Sequence, residues 1–201
     1  LKISVMTKNI LFSLVLSLFS IVSFSQEMVE VNTDASRLIW VGSKLTSSHQ
    51  GEINLKSGAL EIKDGKLVGG TFVIDMTSLK NTDIEDEKSR NKLEKHLKDE
   101  DFFGVEKHPE SRLKITKAIP NKINPENYKI TADLTIKEIT HSITFGANIR
   151  IDNDALLATS TIKFDRTKWD IKYNSKSFFE DLGDYMILDE IELKLFLVSE
   201  K

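Results

Sequence analysis

The sequence predicts an all-β, mainly antiparallel protein with one inserted helix, on three observations. Period-two alternation of apolar and polar side chains recurs along the chain; only one stretch carries helical spacing; and turn signals such as Asp64-Gly65 and Pro120 to Pro125 punctuate the alternating runs. Eight or nine short strands in one domain make either a sandwich or a closed barrel, and periodicity alone does not separate the two.

The chain opens on a segment that reads as an address. Lys2 and Lys8 precede an apolar run from Ile10 to Phe24, and Ser23 and Ser25 place small residues where a signal peptidase reads. The run is shorter than the roughly 20 apolar residues a bilayer span needs. Residues 1–25 are therefore expected to be a cleaved secretory signal that leaves no stable membrane anchor, and residues 26–201 a single domain in the periplasm or outside the cell.

Within that domain, alternation predicts strands over Arg37 to Leu45, Gly51 to Lys56, Ala59 to Ile62, Val68 to Met76 and Arg112 to Ile119. The clearest pair follows. Ile130, Ala132, Leu134 and Ile136 alternate with polar residues, as do Ile143, Phe145, Ala147, Ile149 and Ile151, and together they read as a hairpin with one apolar face. Leu156 to Phe164 and Ile187 to Val198 complete the set. Asp86 to Leu97 is the convincing helix, with Leu93 and Leu97 four apart and Asp83 or Asp86 available as cap. A shorter helical turn is expected around Ser177 to Leu182.

Composition excludes several functions. Of 201 residues none is cysteine, which removes disulfides, lipid acylation of a cysteine and thiol chemistry from an exported chain. The signal carries two lysines and no acid, so the 28 basic residues become 26 against 31 acidic ones, a net charge of −5. No basic cluster offers the footprint of nucleic-acid binding. His49, His96, His108 and His141 are scattered, without metal-ligand spacing, and no Gly-x-Ser-x-Gly elbow is present. Neither a metal, a cofactor nor a catalytic role is expected.

The loop from His96 to Pro109 is unusual for its content. Phe102 and Phe103 stand side by side in an otherwise charged, Gly- and Pro-marked segment, so folding must bury them against something apolar. Either they pin the loop to an ordinary core or they cover the mouth of a cavity. Their place after the single helix favours a barrel with a covered end.

At these residues the chain resembles the YceI-like family of exported, lipocalin-like barrels, some of which bind polyisoprenoid lipids. The resemblance runs through Trp40-Val41-Gly42-Ser43-Lys44 with His49-Gln50-Gly51, the strand Gly70 to Met76 with Thr77-Ser78-Leu79, and the segment from Leu93 and His96 through Phe102-Phe103 to His108-Pro109. It continues through Ala132 to Ile136 with Thr140-His141, and Asp165 to Trp169 with Tyr173-Asn174-Ser175. Asp170 and Lys137-Glu138 depart from it, standing where glycine-bearing turns are expected.

The resemblance implies an eight-stranded lipocalin-like β-barrel with an inserted helix and an aromatic loop at one end. Its lumen would hold an amphiphilic ligand such as an isoprenoid quinone or a polyprenyl lipid. The expected lining is Trp40, Phe72, Ile74, Met76, Leu97, Phe102, Phe103, Leu134, Ile136, Phe145, Phe164 and Trp169. Lys44, His49, Arg166 and Tyr173 are the candidates for meeting a head group. The competing expectation is an envelope or stress-related interaction module whose barrel is filled by its own side chains. Edge strands and apolar patches leave room for a homodimer in either case.

Overall fold

Strand pairing closes the sheet on itself. In the computed structural model, which describes residues 26–152 and 155–200, the strands are β1 (Gln26–Glu30), β2 (Arg37–Lys44), β3 (Ser48–Lys63), β4 (Lys66–Asn81), β5 (Glu110–Pro120), β6 (Asn127–Ile136), β7 (Ile139–Asp152), β8 (Ala155–Asp165) and β9 (Ile187–Glu200), with α1 at Glu87–Lys98. The order β3-β2-β9-β8-β7-β6-β5-β4 returns to β3 through the β3–β4 pairing, so β2 to β9 form a closed, eight-stranded antiparallel barrel. Closure removes the exposed edges an open sheet would carry. The signal expected at Leu1 to Ser25 lies outside the described residues.

Two differences from the expected strands have local causes. The runs Gly51 to Lys56 and Ala59 to Ile62 are one strand, β3, which absorbs an irregularity at Lys56, between the pairs Leu55↔Ile74 and Ser57↔Val73. β1, not expected from the sequence, pairs with the second half of β3, on the side that β2 takes along the first half. Between β1 and β2 the chain stays tied down: Val31 N–H donates to the Gly58 carbonyl at 2.8 Å, Asn32 N–H to the Val198 carbonyl at 2.8 Å, and Val198 N–H to Ser36 Oγ at 3.1 Å.

Alternation turns one side chain in two toward the lumen. On β6 Tyr128, Ile130, Ala132, Leu134 and Ile136 are all buried; on β8 Leu156, Ala158 and Ile162 are. The hairpin between β6 and β7 is made by Lys137 and Glu138, both left-handed at φ 50° and 64°. That is the geometry of a tight two-residue turn matched to strand twist, reached here without glycine or asparagine. Asp170 is likewise left-handed at φ 59°, so both departures from the family pattern sit where glycine would be unstrained.

α1 starts where its cap allows. Asp86 accepts from Ser89 N–H at 2.8 Å, Glu87 occupies the first turn, and Lys95, His96 and Lys98 the last, each sign suiting its end of the helix dipole. Leu97 is buried and Leu93 packs beside it on the core. The helical turn expected around Ser177 to Leu182 is not formed there. Asp181 and Gly183 take positive φ and break the run, and a single 3-10 turn follows at Gly183–Tyr185; a second one spans Arg166–Trp169.

Candidate functional site

The barrel is not filled. At the end covered by α1 an apolar chamber of about 170 Å³ opens into the lumen, and a second of about 60 Å³ lies deeper. Ile74, Leu113, Ile162 and Leu193 line both, so the chambers follow one another inside the barrel.

Local irregularity shapes the larger one. Between the pairs Glu52↔Lys80 and Asn54↔Asp75, β4 carries four residues, Met76 to Leu79, against one on β3. The bulge is pinned by Ser78 Oγ, which donates to the Asp75 carbonyl at 2.6 Å and accepts from Asn54 N–H at 2.8 Å. Lys98 Nζ donates to the Thr77 carbonyl at 2.9 Å, tying the helix end to it. The extra residues break the period of two, and both Met76 and Leu79 reach the chamber wall.

The aromatic loop continues the helix C-terminus. Phe103 N–H donates to the Leu97 carbonyl at 3.2 Å, Val105 N–H to that of Lys98 at 2.9 Å, and Gly104 N–H to that of Asp99 at 2.9 Å. α1 itself ends at Asp99 in extended backbone, and Gly104 supplies the left-handed residue, φ +55°, at the loop's turn. This folding back buries Phe102 and leaves Phe103 half-buried, with ring centroids 5.9 Å apart. Both line the chamber. The His96 ring meets Phe102 edge-on at 5.5 Å and bonds to Asp101 across the loop at 3.2 Å.

Of the expected lining, Trp40, Ile74, Met76, Leu97, Phe102 and Phe103 line the larger chamber, as do Leu134, Ile136 and Phe164; Phe72 and Phe145 line the inner one. Trp169 lines neither. It is fully buried, its Nε1–H donates to the Leu134 carbonyl at 3.1 Å, and it packs edge-on against Phe164 and His141, as part of the wall.

The head-group candidates separate in the same way. Lys44 and His49 stand at the opening among the lining residues. His49 Nδ1 lies 3.2 Å from Asp83 Oδ2. Partial burial opposes the charged form of Asp83, but hydrogen bonds from Asn81 and His49 outweigh it and hold the carboxyl below its usual range. The buried Asn81 also donates to the Gln50 carbonyl at 2.9 Å.

Arg166 does not face the mouth. Its side chain is wholly buried, donating to the carbonyls of Leu188, Ile171 and Ile187 at 3.1, 2.7 and 3.1 Å, with Asp189 Oδ1 3.4 Å away. Desolvation pushes its pKa down against the pull of Asp189 and Asp165. The guanidinium is a structural tie beneath Phe102, whose ring centroid lies 5.8 Å from Cζ. Tyr173 is also outside the lining; it packs edge-on against His96 at 4.5 Å and supports the lid from behind.

Of the larger chamber's lining, sequence reasoning missed Gly42, Ser43, Ile53, Leu79, Leu93, His96, Ser111, Leu113, Ile162, Ile187, Ile191 and Leu193. Leu113, Ile162 and Leu193 lie in phase on strands already read as alternating, so the signal was present. Leu79 was hidden by the bulge. Among the described residues no carboxylate lines the larger chamber, and Ser43, Lys44, His49, His96 and Ser111 bring polar side chains to it. Among the described residues no group of three or more His, Cys, Asp or Glu could hold a metal ion.

A closed antiparallel barrel, capped by a helix and enclosing an apolar lumen, defines the lipocalin-like class of fold. Residues 30–198 match the YceI-like domain, and the chain belongs to that family. The chain is similar in structure to BcnA of Burkholderia cenocepacia, at TM-score 0.67 and 16% identity over 84% of this chain and 98% of that one. It is also similar to a polyisoprenoid binding domain from Saccharophagus degradans, at 0.60 and 13% over 88% and 99%. A Campylobacter jejuni YCEI protein matches at 0.52 and 17% over 98% and 99%. No curated protein matches the chain at a significant level.

Proposed function

We propose that this protein is an exported binding protein that holds one long hydrophobic or amphiphilic ligand, a polyisoprenoid lipid or an isoprenoid quinone, for transport, storage or sequestration. The observation that carries this is the apolar chamber beneath Phe102 and Phe103, which adjoins a deeper chamber across the shared side chains of Ile74, Leu113, Ile162 and Leu193. Transfer of hydrocarbon from water yields about 0.8 kcal/mol per CH₂, so one isoprenoid unit contributes about 3–4 kcal/mol gross. Ordering the chain offsets much of that, and a few buried units suffice. Lys44 and the Asp83-braced His49 place hydrogen-bond donors at the opening, suited to an oxygen-bearing head group. The similarity to a domain described as polyisoprenoid binding supports the same ligand class. The leader-like N-terminus supports a periplasmic or secreted location. The apolar character of the lining favours binding as its chemistry.

Native mass spectrometry of protein purified from its own envelope tests this. A co-purifying lipid, lost from the Phe102→Ser/Phe103→Ser variant while the barrel stays folded, is the expected result. An empty protein that takes up neither added quinone nor polyprenol would sink the proposal and favour an interaction module.

A further inference from the structure

Five large apolar side chains are exposed at one end of the barrel. Leu45, Phe178, Phe179, Tyr185 and Leu188 are 66, 50, 50, 73 and 36% exposed. Leu45 follows Lys44, which pairs with Ile187 across β2 and β9, and both Lys44 and Ile187 line the larger chamber. The segment carrying Phe178, Phe179 and Tyr185 leaves Tyr173, packed on Phe102, and returns at Ile187, with Leu188 next on β9. The patch therefore borders the opening of the lumen.

The aromatics are held outward by a fixed scaffold. Phe178 and Phe179 N–H donate to the carbonyl of the buried Ser175 at 3.1 and 3.0 Å, and Ser177 Oγ donates to Asp189 Oδ2 at 2.6 Å. Asn174 Nδ2–H donates to the Tyr185 carbonyl at 3.1 Å, and Ile187 N–H to the Asn174 carbonyl at 2.9 Å. Lys172 Nζ sits 5.0 Å from the Phe178 ring centroid.

We infer that this rim docks the barrel mouth onto the surface of a lipid bilayer. The inference rests on the proposed function for what passes through the mouth. An aliphatic chain leaving a bilayer through open water re-exposes each CH₂, whereas a mouth seated on the interface removes that gap. Half-exposed Phe and Tyr are the side chains that settle at a bilayer interface. The neighbouring charges are mildly acidic, Lys44, Lys172 and Lys176 against Asp170, Glu180, Asp181, Asp184 and Asp189, so the patch offers no basic footprint for anionic head groups and its apolar area must hold it at a zwitterionic surface. Attachment is apolar and resists salt.

Flotation with zwitterionic phosphatidylcholine vesicles tests the rim without any cargo, so its outcome is independent of lumen occupancy. Wild-type protein should float with the vesicles to a similar extent at low and high salt. Phe178→Ser/Phe179→Ser should lose at least fivefold of the bound fraction, with an unchanged circular dichroism spectrum and unchanged ligand occupancy after detergent loading. If the double variant misfolds, Tyr185→Ser, the most exposed of the patch, is read in its place with at least a twofold loss expected. A wild-type protein that stays with the bulk solution, or variants that float equally well, would overturn the inference. So would a dimer seen by analytical ultracentrifugation that the same substitutions split into monomers, because the patch would then be a self-association face.

Discussion

Replacing Arg166 by methionine should destabilise the barrel without weakening binding of the proposed ligand. The guanidinium satisfies three backbone carbonyls, at 2.7 to 3.1 Å, and lies 3.4 Å from Asp189, with no solvent access of its own. Methionine keeps the volume and removes every donor. An orphaned buried acceptor costs about 1–3 kcal/mol, and the partly exposed Asp189, still bonded to Ser177, adds little. Three carbonyls lose their donor and relaxation recovers part of each, so the loss should be about 3–5 kcal/mol in all. For a domain of this size that lowers Tm by roughly 6–20 °C, at about 2–4 °C per kcal/mol. Urea unfolding of Arg166→Met beside the wild type measures it, with ligand occupancy of the folded fraction read by native mass spectrometry. A variant within about 1 kcal/mol of wild type that has lost its ligand would refute the structural role and return Arg166 to the binding site.

Two further outcomes follow from geometry already described. Glu138→Gly relieves a left-handed residue in the β6–β7 turn at φ 64° and should raise stability by about 0.5–1 kcal/mol, the gain being reduced by glycine's freedom in the unfolded chain; an unchanged urea midpoint would mean the turn is unstrained. Asp83, with its pKa depressed by Asn81 and His49, contributes stability that is complete above the ordinary carboxylate value of about 4 and is lost as pH falls through its lower folded value. Asp83→Asn should therefore flatten the decline in urea stability as pH falls below about 4, and a variant that declines as steeply as wild type would contradict this.

Much of the fold was legible because burial on one face writes itself into strands as a period of two. β6 and β7 are the clearest instance, since each has water on one side and the lumen on the other. What could not be read is where that period breaks. At Met76 to Leu79 four residues oppose one, and a strand expected to end at Met76 runs on to Asn81 with Leu79 turned inward. β1 is five residues long, too short for alternation to stand above chance. The site divided along similar lines. Lining residues on regular strands share a phase that the sequence shows, even where, as at Leu113, Ile162 and Leu193, they were not singled out, whereas Trp169, Arg166 and Tyr173 belong to a segment that leaves the sheet at Asp165. Its 3-10 turn swings Arg166 under the lid and Trp169 into the wall. No periodicity reports the direction of such a turn. Lys44 and His49 stayed at the opening because they sit on β2 and β3, where strand direction fixes them.

The pairing of β2 with β9 carries a consequence for the order of assembly. Ser36, just ahead of β2, bonds to Val198 across 162 residues of chain, and the β2–β9 register runs from Arg37↔Phe196 to Lys44↔Ile187. The remaining neighbours around the barrel are mostly consecutive strands that can zip together as hairpins, but this seam joins the first wall strand to the last. Loop-closure entropy makes such a contact the slow step. The lumen therefore comes into being only when the final strand docks, and a chain emerging from its N-terminus has no enclosed chamber to fill until β9 has been made.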